Sequence, residues 1–127
     1  CAEEIIRVLK PGDKLYAAVP FLQPFHGYPD HYYNMTINGL KNLFEGKLKL
    51  IHSGVPKSGL PVWALNWFLR SYVNGLPPKT AKKFMKMRVK DLLGDTMTYL
   101  DKDFVANLSD AANEELACVT FLVGEKI

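Results

Sequence analysis

The sequence predicts an α/β fold with few strands for its length, and three segments lead to this expectation. Residues 14–21 (KLYAAVPF) are apolar and bounded by glycine and proline, which is typical of a short strand buried on both faces. Residues 47–55 (KLKLIHSGV) alternate lysine with leucine before becoming apolar, as in a strand near a sheet edge. Residues 116–127 (LACVTFLVGEKI) combine valine, threonine and phenylalanine and predict a closing strand.

Helices are predicted between these strands from the spacing of apolar residues. The first helix, CAEEIIRVLK, is ended by Pro11 and by Gly12, which can adopt a left-handed conformation. The second begins at the candidate N-cap Thr36 and ends near Gly46, a residue typical of a C-terminal cap. Later helices are expected in VWALNWFLRSYVNG, which stops at Gly75, and in PPKTAKKFMKMRVKDLLG, followed by a short helix or loop in TYLDKDFVANLSDAANEE.

Composition and charge favour a single cytoplasmic domain that binds neither nucleic acid nor membrane. The chain has 127 residues, of which 48% are apolar and 23% charged, the balance of a soluble globular protein. Its net charge of +3 is far below the clustered excess of nucleic-acid binders, and no stretch is apolar enough to span a membrane. The basic run in residues 78–90 is interpreted as a solvated helix face, with an anionic lipid or phosphate-bearing partner as the less favoured alternative.

The two cysteines do not predict a disulfide scaffold or a zinc site. Cys1 and Cys118 lie at opposite ends of the chain and form no CxxC motif. Cys118 is surrounded by apolar residues, where a buried free thiol is common. Free thiols fit a reducing compartment.

The loop PFLQPFHGYPDHYYNMT, residues 20–36, carries the first candidate functional residues. It is rich in aromatic and imidazole side chains, whereas loops that only connect elements tend to be small and polar. His26 and His31 are candidate general bases, because histidine is the side chain that titrates nearest neutrality. Alternatively, His26 and Tyr32 hydrogen-bond the loop's own backbone, and the sequence leaves both roles open.

A metal site in this loop is not predicted. His26 and His31, together with Asp30, imitate part of a metal cluster. However, they lie in a loop that contains prolines rather than on one helix face, and no fourth ligand is evident.

An aromatic stripe marks a second candidate region, in the helix predicted after residue 61. Trp63, Trp67 and Phe68 fall on one face of that helix. Such a stripe is usually core, or a cover over a pocket, rather than a platform that stacks nucleic-acid bases.

Three segments of the chain resemble class I S-adenosylmethionine-dependent methyltransferases, in particular the methyltransferase type 11-like domain. EEIIRVLKPGDKLYAAVPF is similar to the family's helix ending in R-x-L-K-P-G-G before the fifth strand, with Asp13 replacing the second glycine. The loop resembles that of a subgroup with P-F-x-x-P-x-H-G-x-P followed by a D-Y-Y-R-x-T-like element, and ELACVTFLVGEKI is similar to that subgroup's final strand. The matching loop residues are Pro20, Phe21, Pro24, His26, Gly27, Pro29, Tyr32, Tyr33 and Thr36.

This resemblance implies a partial Rossmann-like sheet made of the family's last three strands. The final strand would run antiparallel between the strands at residues 14–21 and 47–55. The family's S-adenosylmethionine site, a glycine-rich loop and a strand-terminal acid, would lie upstream of Cys1. Because the chain also starts in helical register, residues 1–127 are expected to be one partial domain, the C-terminal portion of a methyltransferase-like domain, inactive alone.

The resemblance further implies that the parent protein, of which this chain would be the C-terminal portion, transfers a methyl group to a small molecule. Methyl transfer is an in-line displacement at a sulfonium carbon, to which a protein contributes mainly alignment and a dry cavity. Two departures bear on this activity, since His31 stands where the family has Asp and Asn34 where it has Arg. The catalytic candidates are His26 and His31, and the substrate-binding candidates are Asp30, Tyr32, Tyr33 and Trp63.

The alternative hypothesis is a non-catalytic or degenerate module that binds a protein partner or self-associates. Without the upstream half, one edge of the strand at residues 14–21 would be bare and apolar. Such an edge invites strand addition, by the missing N-terminal half or by a second copy of the chain.

Overall fold

The computed structural model describes residues 1–118, Val123 and Glu125, and the regular elements within these residues are helices. The α-helices are α1 (Ala2–Val8), α2 (Ile37–Leu43), α3 (Pro61–Asn74), α4 (Pro78–Phe84), α5 (Asp103–Ala106) and α6 (Asp110–Glu115). Short 3₁₀ helices span Lys57–Gly59, Val89–Leu92 and Thr96–Tyr99.

The predicted α/β fold is wrong for the described part of the chain, which contains no strand and no sheet, Rossmann-like or otherwise. Residues 14–21 and 47–55 are neither helical nor paired, and side chains expected to be buried there are accessible, Tyr16 to 81% and Ile51 to 77%. A strand requires a neighbour that bonds its backbone N–H and C=O groups along its length, whereas residues 14–21 receive a single such bond from the described residues, from the Met35 N–H to the Pro20 carbonyl at 2.8 Å. The closing strand, predicted at residues 116–127 and antiparallel in the family, lies mostly outside the described residues.

The predicted helix positions are confirmed near their starts and caps. α2 begins after Thr36, whose Oγ1 accepts a hydrogen bond from the backbone N–H of Gly39 at 3.1 Å. α3 stops before Gly75, as predicted. Gly12 and Gly46 have φ angles of 90° and 70°, which a residue with a Cβ rarely adopts. Local sequence therefore determines where these helices begin and end.

The fourth predicted helix is shorter than expected, because α4 ends at Phe84. A new local network follows it: the Arg88 N–H and guanidinium donate to the Asp91 carboxylate at 2.9 and 3.1 Å. These hydrogen bonds from Arg88 hold the pKa of Asp91 below its ordinary value. Met85 and Val89 follow the end of α4 and are exposed.

The core lies where α3, α4, α5 and α6 meet. The rings of Tyr72 and Phe104 flank Phe84, with centroids 5.0 and 5.5 Å from its own. The Tyr72 hydroxyl donates to the Phe104 carbonyl at 2.8 Å, which ties α3 to α5. Burial raises the pKa of Tyr72 above its ordinary value. The buried residues of this core are Leu76, Thr80, Ala81, Phe84 and Ala112.

Both cysteines are exposed, so the buried position predicted for Cys118 is wrong. Cys118 lies just beyond the end of α6, outside the buried core. As for membrane crossing, the described helices include none with both the length and the apolar character that a span requires.

Candidate functional site

Residues 23–34, here called the site loop, are held in shape by their own side chains. The His31 Nδ1 accepts a hydrogen bond from the backbone N–H of His26 at 3.2 Å, and its Nε2 lies 2.7 Å from the Asn34 Oδ1. Asn34 donates in turn from Nδ2 to the Gln23 carbonyl at 3.0 Å. This pattern fits a neutral imidazole with its proton on Nε2, and it engages both ring nitrogens of His31.

His31 and Asn34, the two departures from the methyltransferase motif, contact each other. Where the family has an aspartate and an arginine at these positions, this chain has the imidazole of His31 hydrogen-bonded to the amide of Asn34. The two side chains therefore interact directly, and both help to hold the conformation of the site loop.

Ring contacts and one long-range hydrogen bond fix the site loop against the helices. The Phe25 and His31 rings stack with centroids 5.3 Å apart and planes inclined by 6°. The His26 ring packs on Trp67 of α3 at a centroid distance of 4.8 Å. The Phe25 N–H donates to the Glu115 carbonyl at the end of α6, at 2.9 Å. The loop thus packs on α3 and is hydrogen-bonded to α6.

His26 bonds the loop's own backbone, one of the two roles that the sequence left open. Its Nδ1 lies 2.7 Å from the Pro24 carbonyl, which can only accept, so Nδ1 carries the proton. The Nε2 of His26 makes no hydrogen bond to a described residue. Of the two predicted bases, His26 is therefore the one with a ring nitrogen available to accept a proton.

A cavity of about 340 Å³ lies between the site loop and α3. This volume is within the range of roughly 300–1,000 Å³ typical of small-molecule sites, although the space is open to solvent, since Trp63 in its wall is 63% exposed. The Trp63 indole N–H donates to the Lys57 carbonyl at 3.1 Å, which orients this ring in the wall. The lining residues are Gln23, Ser58, Trp63, Asn66, Trp67 and Arg70.

The charge of the cavity comes from Arg70. The other lining residues are neutral, and Arg70 forms no ion pair with any described residue. A guanidinium in a wall of indoles and amides favours an anionic ligand group.

No carboxylate lines the cavity to hold the ribose hydroxyls of S-adenosylmethionine. The lining therefore lacks one of the groups that the resemblance would require of a cofactor site.

The residues predicted at the site are only partly brought together. Trp63 lines the cavity, and His26 packs against its wall. Asp30, Tyr32 and Tyr33 lie outside the lining: the Tyr32 hydroxyl donates to the Asp30 Oδ1 at 3.1 Å, and the two tyrosines are 72% and 82% exposed. The aromatic stripe of α3 thus forms a pocket wall at its tryptophans.

Arg70 was not predicted as a site residue, although its spacing from the two tryptophans indicated a shared helix face. Arg70 lies one and two helical turns beyond Trp67 and Trp63, so it shares their face of α3. Ser58 and Gln23 come from separate loops and carry no comparable local pattern. Trp67 was predicted only as part of the aromatic stripe, and the lining residues that were not predicted are Gln23, Ser58, Asn66 and Arg70.

Neither a metal nor a known relative adds to this description. In the part of the chain that the structure covers, no three His, Cys, Asp or Glu side chains are grouped to hold a metal ion. The chain has no match among protein-family models, curated proteins or solved structures. A functional proposal must therefore rest on the sequence motifs and on the geometry of the cavity.

Proposed function

We propose that this chain supplies the acceptor side of an S-adenosylmethionine-dependent methyltransferase that acts on a small molecule. The observation that carries the proposal is the cavity between the site loop and α3. The loop that borders it contains the motif residues His26 and Gly27, and His26 packs on the cavity wall. The proposal depends on these contacts and not on a sheet.

The cavity takes the methyl acceptor, and the cofactor binds elsewhere in the parent protein. This assignment follows from the lining, which contains no carboxylate to hold the cofactor's ribose hydroxyls. The indoles of Trp63 and Trp67 can align a planar acceptor, and alignment is a main contribution that a protein makes to such a transfer.

Within this proposal the two histidines have different roles. The Nε2 of His26 is the candidate to take the proton that the acceptor loses, since its Nδ1 is already held by the Pro24 carbonyl. This role requires an acceptor that reaches past Trp67, because His26 packs on that ring and does not line the cavity. His31 positions the loop through its bonds to His26 and Asn34. The substrate-binding roles of Asp30, Tyr32 and Tyr33 stay a prediction, and they require an acceptor that extends beyond the cavity.

Calorimetry on the parent protein tests the proposal, together with transfer of a labelled methyl group to small-molecule acceptors. We expect the parent to bind S-adenosylmethionine. We also expect His26→Gln to lower the transfer rate by about 10²-fold or more, with cofactor binding unchanged. His52→Gln is the matched control, because His52 is exposed and lies outside the cavity lining. A parent that binds no S-adenosylmethionine would contradict the proposal.

A second candidate function is a non-catalytic module that binds a protein partner or a second copy. It is favoured by the accessible surface of the chain, 11176 Å², against roughly 6,800 Å² expected for a folded monomer of this mass. Much of the excess is apolar, as at Tyr16, Leu50 and Ile51. Light scattering distinguishes the two candidates, because a monodisperse monomer at high concentration would contradict self-association.

A further inference from the structure

We propose that the ligand of the cavity is a planar aromatic carboxylate of one or two rings. This inference rests on the proposed function and specifies the acceptor class for the same site. It follows from three properties of the cavity, namely the orientation of its indoles, the charge of Arg70 and the neutral polar groups around them.

The indoles present fixed aromatic surfaces. Trp63 is held by its hydrogen bond to the Lys57 carbonyl at 3.1 Å, and Trp67 is held by the His26 ring at 4.8 Å. Trp63 nevertheless remains 63% exposed. An exposed ring that is already oriented can stack a planar ligand with little loss of side-chain freedom.

Arg70 selects the sign of the ligand's charge. No acid lines the cavity, and within the described ranges no carboxylate pairs with Arg70. The planar guanidinium matches a carboxylate through two parallel N–H···O bonds, which a neutral amide cannot reproduce. An aromatic cation would meet repulsion at the same place.

Neutral polar side chains complete the lining. Gln23, Ser58 and Asn66 offer amide and hydroxyl groups without charge. They suit a ring substituent such as a hydroxyl, which is also the kind of group that accepts a methyl and loses a proton. The volume of about 340 Å³ is enough to hold one or two fused rings.

Both tryptophans of the chain line the cavity, so their two indole N–H signals in an NMR titration report on binding directly. The probe is 4-hydroxybenzoate, titrated into the 127-residue chain without S-adenosylmethionine. Its neutral counterpart is 4-hydroxybenzamide, and its non-planar counterpart is 4-hydroxycyclohexanecarboxylate. We expect 4-hydroxybenzoate to bind at least about tenfold more tightly than either counterpart.

Arg70→Gln should remove the preference for the acid and leave the weak binding of the amide unchanged. Lys82→Gln is the matched control, because it removes one positive charge from an exposed position on α4 and should preserve the preference. Equal affinities for acid and amide in the wild-type chain, or an acid preference that survives in Arg70→Gln, would overturn the inference.

The outcome is distinguishable from failure of the proposed function. If the acid binds through Arg70 but the parent binds no S-adenosylmethionine, methyl transfer is overturned and the carboxylate site stands. If the parent methylates only neutral acceptors, methyl transfer stands and the acid class is overturned.

Discussion

Residues 60–116 and residues 1–59 belong to the same chain but are stabilised in different ways. The core residues lie between Leu76 and Ala112, whereas in the first region only Pro24 is classed as buried. The second region is made largely of helices, which bond their own backbone, and they bury a shared aromatic cluster. The first region contains apolar segments that neither form a helix nor find a partner strand within the described residues.

The difference shows why apolar sequence alone does not produce burial. A helix needs only one apolar face against a neighbour, while an extended segment also needs a second segment for its N–H and C=O groups. In the first region this need is met at few places, among them the bond from the Met35 N–H to the Pro20 carbonyl and the docking of the site loop on α3 and α6. Stability should therefore be concentrated in the second region.

The largest expected effect comes from truncating the aromatic core. Phe84→Ala removes the ring between Tyr72 and Phe104 and should lower the free energy of unfolding by about 3 kcal/mol. Ile51→Ala is the matched change in the first region, at a residue 77% exposed, and should cost less than about 0.5 kcal/mol. Urea unfolding of both variants measures the contrast, and equal losses would contradict the division into two regions.

The next effect concerns the contact between α3 and α6. A Cβ at Gly75 would overlap the Ala112 Cβ and crowd Leu108 Cδ1 at 3.2 Å, so Gly75→Ala should destabilise by about 2 kcal/mol. Gly54→Ala is the control, since its nearest neighbour would be the His52 Nε2 at an ordinary 3.6 Å. Thermal unfolding distinguishes them, and an unchanged melting temperature for Gly75→Ala would show that the two helices separate easily.

A smaller effect should follow from loosening the site loop. His31→Ala removes the acceptor of the His26 N–H and the donor to Asn34, and should cost about 1 kcal/mol. The indole N–H signal of Trp67 should shift, because His26 packs on that ring. His52→Ala should leave this signal in place.

A double-mutant cycle sharpens the same prediction. His31→Ala and Asn34→Ala should be non-additive by about 0.5 kcal/mol or more, since the two side chains bond each other at 2.7 Å. Additive losses would argue that the two departures from the family's motif are independent.

The smallest effect is a pH dependence in the core. Burial raises the pKa of Tyr72, so the folded chain keeps the phenol proton to higher pH than the unfolded chain does. The contribution of Tyr72 to the free energy of unfolding is fully present below the ordinary tyrosine pKa near 10. It is lost as the pH rises through the pKa that Tyr72 has in the folded chain. Tyr72→Phe should flatten the decline in unfolding free energy above pH 10, measured by urea unfolding at successive pH values. If the unfolding free energy of Tyr72→Phe declined as steeply as that of the wild-type chain, the decline would be caused by other titrating groups.

Sequence patterns predicted the helices well because their signals are local. Thr36 and Gly75 lie at helix boundaries, and the stripe from Trp63 to Trp67 is a pocket wall. The strands at residues 14–21 and 47–55 were wrong because an apolar pattern indicates a need for burial but does not supply the partner.

The candidate site was predictable only where one element contributes most of it. The stripe on α3 identified Trp63, and the loop motif identified His26. The cavity also needs Gln23 and Ser58, which come from loops far apart in sequence and meet only through tertiary packing. The structural role of His31 depends on a turn that places its ring beneath the His26 amide, and spacing alone does not reveal it.

The hydrogen bond from the Phe25 N–H to the Glu115 carbonyl has a consequence for how the protein is made. Eighty-nine of the 127 residues lie between these two, so this hydrogen bond cannot form until residue 115 has left the ribosome. The helices α3, α4 and α5 can pack soon after they emerge, whereas this bond of the site loop waits for the end of α6. A chain that stops before residue 115 would still carry the aromatic cluster of Tyr72, Phe84 and Phe104, yet it would lack this anchor of the site loop.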